Sequence, residues 1–457
     1  MISIKWLLKS GKTQALVELL KEWAEGRLSL KREELKRAAA SGNPQVLYWL
    51  ARGALKEREL LRELFGVEPL SEPAEFDFPV VGQKGQIVRG IAFKSSKEFK
   101  NKEEASLKGV KAFLNSEVAV FFEREDFSGS SFQAPLAYAL LEGEVPPGVM
   151  LTGELEADGD FSAAKVKEKR EVARRAGRFL IWKGNLRELP TLLSQKEVHL
   201  PLLIATSRPE EVKADFKVLE DSAGLRTAKG LDWERLSLTL PQRLPPGPWH
   251  HFVKEAVESF REFTYLPFKC NLHLGIKAPS ALALGIGAAL GTGKLPLALY
   301  HFQNRAYHRV INLIESPRKI KERAPALSKF SLKAEAEGKK RAVVALQVAS
   351  HEIEKRARAL AEELDADFFY AEHLKKGALP ESSKEWEETA AEAYEVMNRV
   401  YNTSSYEEIH LIMSVPVPVA FALGMALGSY WPVKVWNFFK EEGKYRPVLE
   451  LNNLPSL

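Results

Sequence analysis

MLTGELEADGDFSAAKVKEKREVARRAG, residues 150–177, is the stretch on which the reading of this chain turns. Apolar β-formers around Val149 and Leu151 lead into a turn at Asp158-Gly159, and a helical pattern follows from about Ala163. The helix carries Lys165, Lys167, Lys169, Arg170, Arg174 and Arg175. Positions i, i+3 and i+4 share one side of a helix, so these cations cannot all lie on one face, and one lysine can turn inward while the others stay solvated. Lys167 shares a stripe with Ala163, whereas Lys165 and Lys169 point elsewhere. Lys167 is therefore the expected inward lysine.

Upstream, Ser131 follows Gly129-Ser130 and opens the apolar segment SFQAPLAYALL. Its hydroxyl is expected at a sharp passage from loop to helix. A serine nucleophile needs a base, and a desolvated lysine can serve, because burial disfavours the ammonium form and lowers its pKa. Ser131 and Lys167 would then form a Ser-Lys dyad. Two structural alternatives stand beside this reading: a serine at a helix start is commonly an N-cap, and a lysine within a lysine run is commonly part of a solvated face.

The order of serine, apolar helix, Thr152-Gly153-Glu154, Lys167-Glu168-Lys169 and Arg174-Arg175-Ala176-Gly177 resembles the proteolytic domain of the Lon peptidase family, over roughly Glu75 to Thr206. That family's pattern reads Asp-Gly-Pro-Ser-Ala-Gly, then Met-Thr-Gly-Glu, then Gly-Gly-x-Lys-Glu-Lys. The resemblance implies Ser131 as nucleophile, Lys167 as general base and Thr152 beside the dyad. The chain departs from the pattern in two places. Ser128-Gly129-Ser130-Ser131-Phe132-Gln133 replaces the first motif, and Ala164-Lys165 replaces the Gly-Gly pair.

At 457 residues the chain exceeds one domain, and three segments are expected. Residues 1–72 read as helical, with Ser-Gly-initiated segments at Ser10 and Ser41 that resemble ankyrin-type hairpins. Residues 73–210 read as an α+β peptidase domain: apolar runs at Val80-Val81, Ile87–Phe93, Val118–Phe122, Phe179–Trp182 and Leu200–Ile204 predict short strands. A net charge of +5 is too mild to indicate duplex DNA binding without basic residues clustered on one face, but it suits a small anionic ligand. The single cysteine, Cys270, excludes an internal disulfide framework. No apolar run is long enough to span a membrane, and the expectation is a cytoplasmic protein. Gly291-Thr292-Gly293-Lys294-Leu295 lacks the first glycine and final hydroxyl of a Walker A loop, so ATP-independent action is expected, with no cofactor or metal in catalysis.

Residues 211–457 repeat themselves. Leu272 through Leu313 aligns with Ile409 through Leu451, with Pro279 on Pro416, Ala283 on Ala420, Gly287 on Gly424 and Pro296 on Pro432. Each copy alternates strands with helices, which predicts a parallel α/β sheet in each half, at about 234–325 and 339–457. Leu236–Leu240 and Val343–Val348 are read as corresponding strands. In open α/β sheets ligands lie beyond the carboxyl ends of the strands. Those ends are Lys277-Ala278-Pro279-Ser280 and Ser414-Val415-Pro416-Val417, each entering a helix whose free amides favour an anion. Gln242-Arg243 and Ser350-His351 are taken as two further matching ends, and Trp436 or Tyr300 as stacking surfaces for adenine.

This half resembles the SAVED domain, two fused CARF-like Rossmannoid units, on the segment IHLIMSVPVPVAFALGMALG and the closing YRPVLEL. A Lon-like domain followed by SAVED is similar to the CRISPR-associated Lon proteases of type III systems. That resemblance implies antiviral signalling in which a cyclic oligoadenylate, expected to be cyclic tetra-adenylate, activates cleavage of a specific partner protein. Ligand-induced self-association is also expected, since a flat ring lying across strand ends leaves one face for a second molecule to cover. The rival expectation is a proteolytically inactive sensing scaffold.

Overall fold

The computed structural model describes residues 4–82, 85–227, 230–322, 326–375, 377, 379–380 and 382–457. Its mixed α/β architecture falls into two compact units. One comprises Met1–Lys196 with Ala228–Leu231 and Tyr265–Phe268, the other Glu197–Thr227, Asp232–Thr264 and Lys269–Leu457.

The first unit begins with five helices, Ile4–Lys9, Thr13–Ala24, Arg32–Ala39, Pro44–Gly53 and Arg58–Phe65. Asn43 caps the fourth, its side-chain oxygen accepting the amides of Gln45 and Val46 at 3.1 and 3.2 Å, and Pro44 supplies a preset first turn. The helices lie against a sheet ordered Ala74–Val80, Gln86–Ser95, Glu117–Phe122, Phe99–Lys100. Successive strand residues face opposite sides, which gives this sheet two cores. Ile91, Phe93, Ala119 and Phe121 join Leu20, Leu50 and Leu61 of the helices in one continuous cluster. On the other side Phe76, Phe78, Phe122, Phe127 and Phe132 form an aromatic cluster packed mostly edge to face, with Phe122 and Phe132 centroids 4.9 Å apart. The amino-terminal helices are thus part of the sheet's own packing rather than a separate repeat domain. The aromatic cluster fixes Phe132 next to Ser131.

Beyond that cluster come the helix Gln133–Glu142, the strand Val149–Leu151, a three-stranded antiparallel sheet (Glu154–Leu155, Asp160–Ser162, Lys183–Asn185), the helix Val166–Arg175, and the strand Phe179–Ile181, which pairs in parallel with Val149–Leu151.

The second unit contains two sheets. The first is ordered Ser237–Leu240, Glu197–Thr206, Lys269–Lys277, Leu297–Gln303, Ala306–Asn312, and only the last strand is antiparallel to its neighbour. The second is ordered Phe330–Glu335, Asp367–His373, Arg341–Gln347, Glu408–Ser414, Val433–Phe439, Lys444–Glu450, with an antiparallel strand at each edge. The duplication is exact enough to repeat an irregularity: the register shifts between Leu299 and Tyr300 in one half and between Val435 and Trp436 in the other.

Two expectations change here. Glu197–Thr206 belongs to the second unit, where it pairs with Ser237–Leu240 and Lys269–Lys277, so the boundary falls at residue 197 rather than 210. Glu197–Thr206 and Arg341–Gln347 hold the same place in their sheets, and Ser237–Leu240 corresponds to Asp367–His373. Leu236–Leu240 is therefore not the counterpart of Val343–Val348, and Gln242-Arg243 and Ser350-His351 do not occupy matching strand ends.

The two halves meet along the helices Ser280–Leu290 and Val417–Leu427. A Cβ on Gly287 would stand 2.1 Å from the Phe421 carbonyl oxygen, and one on Gly424 would stand 2.0 Å from that of Leu284. Only glycine permits this reciprocal backbone approach. Among the described residues no helix is long and apolar enough to cross a membrane.

Candidate active site and ligand surface

Ser131 sits in the turn between Glu117–Phe122 and Gln133–Glu142, after Gly129 at φ 84°. The Thr152-Gly153 segment fastens this turn: the Gly153 amide donates to the Ser131 carbonyl at 2.8 Å, the Ala134 amide donates to the Gly153 carbonyl at 3.1 Å, and the buried Thr152 hydroxyl donates to the Ser131 carbonyl at 3.3 Å. Gln133 completes the brace from within the core. Its amide nitrogen donates to the Ser106 carbonyl at 2.7 Å, and its oxygen accepts the Leu155 amide at 2.9 Å. The sequence signal for Gln133 was a lone amide at the start of an otherwise apolar helix.

The lysine facing Ser131 is Lys169, not Lys167. Lys169 Nζ lies 2.6 Å from Ser131 Oγ, and the residue is only 5% exposed. Lys167 is exposed on the opposite side of the helix. The correction has a geometric cause: the helix begins at Val166, not Ala163, so Ala163 sets no helical stripe. The buried face is Lys169, Val172 and Ala173, an i, i+3, i+4 set. Burial above all, with the nearby Lys165 cation acting in the same sense and Glu168 opposing, lowers the Lys169 pKa to about 8. About one molecule in ten then carries a neutral amine near pH 7, against a negligible fraction for an ordinary lysine.

Ser131 and Lys169 open into a cavity of about 270 Å³. Its walls are Phe78, Pro79, Val80 and Val81 on one side and Ser128, Gly129, Ser130, Glu154 and Lys165 on the others. A hydroxyl, a buried amine within hydrogen-bond distance and an apolar wall can together perform nucleophilic attack on an acyl group.

In the second unit, the Ser280 hydroxyl donates to the Val415 carbonyl at 2.7 Å, which joins the loops 277–280 and 414–417. The helices that follow have Pro279 and Pro416 as N-caps, both in extended conformation and neither with a side-chain capping bond. The first-turn amides of both helices thus have no side-chain acceptor at the cap. Lys277 is exposed and donates to Asp215 at 2.8 Å, Ser414 is half-buried, and its carbonyl accepts the amides of Val348 and Ala349, each at 2.8 Å. Gln242, Arg243, Ser350 and His351 are exposed, and Arg243 pairs with Glu441 at 3.2 Å.

Trp436 and Tyr300 occupy equivalent places, each tied to a buried histidine on the adjoining strand. The Trp436 indole N–H donates to His410 Nδ1 at 3.1 Å, and the Tyr300 hydroxyl lies 2.8 Å from His273 Nδ1. Trp436 is half-buried against the core of its half, and Tyr300 is buried. Tyr300 is therefore not the stacking surface expected of it, whereas Trp436 keeps part of its ring exposed.

Among curated protein sequences none matches the chain. Among solved structures it is similar to the SAVED/CARF-domain containing receptor Cap4 of Acinetobacter baumannii, with the cyclic trinucleotide 2'3'3'-cAAA, at 16% identity and a TM-score of 0.41, covering 58% of this chain and 53% of that one. The same receptor with 3'3'3'-cAAA gives the same values. The Cap4 receptor of Moraxella osloensis is similar at 15% identity and a TM-score of 0.39, covering 71% of this chain and 66% of that one. The chain thus spans about half the length of the Acinetobacter receptor. Within the second unit, residues 271–451 match the SAVED family, the SMODS-associated and fused to various effectors sensor domain.

Proposed function

We propose that this chain is a serine protease switched on by a cyclic oligonucleotide, with Ser131 as nucleophile and Lys169 as general base. The observation that carries the catalytic half is the 2.6 Å approach of a buried lysine amine to a serine hydroxyl inside a cavity. The Ser131 hydroxyl passes its proton to the neutral Lys169 amine as Oγ attacks the scissile carbonyl carbon. Lys169, now an ammonium, returns the proton to the departing amine, leaving an acyl group on Ser131. It then takes a proton from the water that attacks the ester carbonyl and gives it to Ser131 Oγ as the acid product leaves, which restores the hydroxyl and the neutral amine. Thr152 acts by holding the Ser131 backbone.

The sensing half rests on the SAVED match over residues 271–451 and on the two uncapped helix starts, at Pro279 and Pro416, joined through Ser280. Their amides suit the phosphates of a cyclic oligoadenylate. On this reading the ligand promotes self-association, and the chain acts in type III CRISPR antiviral defence by cutting one partner protein without ATP.

The test is incubation of the full chain with candidate partner proteins, with and without cyclic oligoadenylates of defined ring size. Ligand-dependent cleavage that disappears in Ser131→Ala and persists in Ser130→Ala is expected. Cleavage that survives Ser131→Ala overturns the assignment.

A further inference from the structure

Lys165 stands directly before the helix Val166–Arg175 with φ 53° and ψ 45°, the left-handed region that a residue bearing a Cβ adopts reluctantly. Its carbonyl accepts the Lys169 amide at 3.2 Å, which sets it one helical turn ahead of the buried amine. Lys165 is exposed, lines the same cavity as Ser131 and Lys169, and has no ion-pair partner among the described residues. Around that cavity the only other described charged group is Glu154, while the strand Ala74–Val80 and the loop 128–131 contribute apolar side chains, glycine and serines. On the helix itself, Glu168 adjoins Lys169. A glycine would suit this backbone better, so the lysine here is not accounted for by local conformation.

We propose that Lys165 is a positioning residue of the Ser131–Lys169 pair: a cation without an ion-pair partner among the described residues, held one turn ahead by a left-handed backbone, that repels a proton from the buried amine. The inference rests on the proposed role of that pair. The direction in which Lys165 moves the Lys169 pKa agrees with it, second to burial and opposed by Glu168. Two ammonium groups raise each other's energy, so removing one allows the other to keep its proton to higher pH.

The experiment uses the full chain and needs no proteolysis. Acetic anhydride labelling, resolved by peptide and followed across pH, gives the midpoint at which Lys169 becomes reactive; the acid limb of cleavage is recorded alongside. Lys165→Met and Lys165→Gly are expected to raise the midpoint by roughly half a pH unit at low salt, the size of a screened repulsion over a helical turn. The shift should shrink in concentrated salt. Lys165→Arg keeps the charge and should restore the wild-type midpoint. An unmoved midpoint in both neutral variants, or an equal movement in Lys165→Arg, overturns the proposal. If the midpoint moves while the wild type cleaves no more than Ser131→Ala does, the inference about the amine stands and the protease reading falls. If cleavage persists with an unmoved midpoint, only this inference falls.

Discussion

Lys169 is costly to bury as an ammonium, and that cost is tied to its proposed use. Its folded pKa lies below the unfolded value, so the unfolded chain binds more protons between about pH 8 and pH 10.5, and stability rises with pH across that window. Below it the burial cost is fully present. Lys169→Met should therefore abolish cleavage yet stabilise the fold at pH 7 by about 2 kcal/mol, with the advantage fading toward pH 10. Thermal unfolding of the two proteins across that range checks the sign. Lys167→Met, on the exposed side, should keep both cleavage and stability near the wild-type values. Cleavage by the wild type should rise with pH toward a midpoint near the Lys169 pKa of about 8, read from initial rates. Ser131 was legible in the sequence because a glycine-initiated turn before an apolar helix is a local pattern. The choice between Lys167 and Lys169 was not, because it depended on where the helix begins. Moving that start from Ala163 to Val166 leaves Lys169, Val172 and Ala173 as the stripe, which the spacing alone also allows.

Among the elements, the paired helices Ser280–Leu290 and Val417–Leu427 carry the duplication. Gly287 and Gly424 were already superposed by the sequence repeat, and the structure gives the reason in a crossing close enough to exclude a methyl group. Gly424→Ala should cost at least about 2 kcal/mol, since the obstacle is backbone rather than a side chain that can rotate. Differential scanning should show the loss in Tm, and Ala288→Gly, beside the crossing on the partner helix, should not restore it. The strand Glu197–Thr206, read from Leu200–Ile204, was placed in the wrong unit for a different reason. A central parallel strand is buried on both faces and reads as one apolar run, whichever sheet owns it. The residues that precede it in sequence lie in the first unit, whereas its hydrogen bonds and the segment that follows it, to Thr227, lie in the second. That misplacement also displaced the matching of strand ends at Gln242-Arg243 and Ser350-His351.

For the molecule as a whole, the proposal links a ligand at one unit to bond cleavage at the other. A ligand that binds only the folded second unit raises its stability by mass action, about 2.7 kcal/mol at a hundredfold excess over Kd. Lys277→Glu combined with Ser414→Asp places negative charge at both joined loops and should weaken that stabilisation at least tenfold in ligand concentration, as measured by calorimetric titration. The measurement closest to the central claim is cleavage of a partner protein by the wild type, Ser131→Ala and Lys169→Met, each with and without saturating cyclic oligoadenylate. The account predicts cleavage in the wild type with ligand alone, and none in either variant under any condition. Cleavage independent of ligand, or cleavage retained in Lys169→Met, would contradict it.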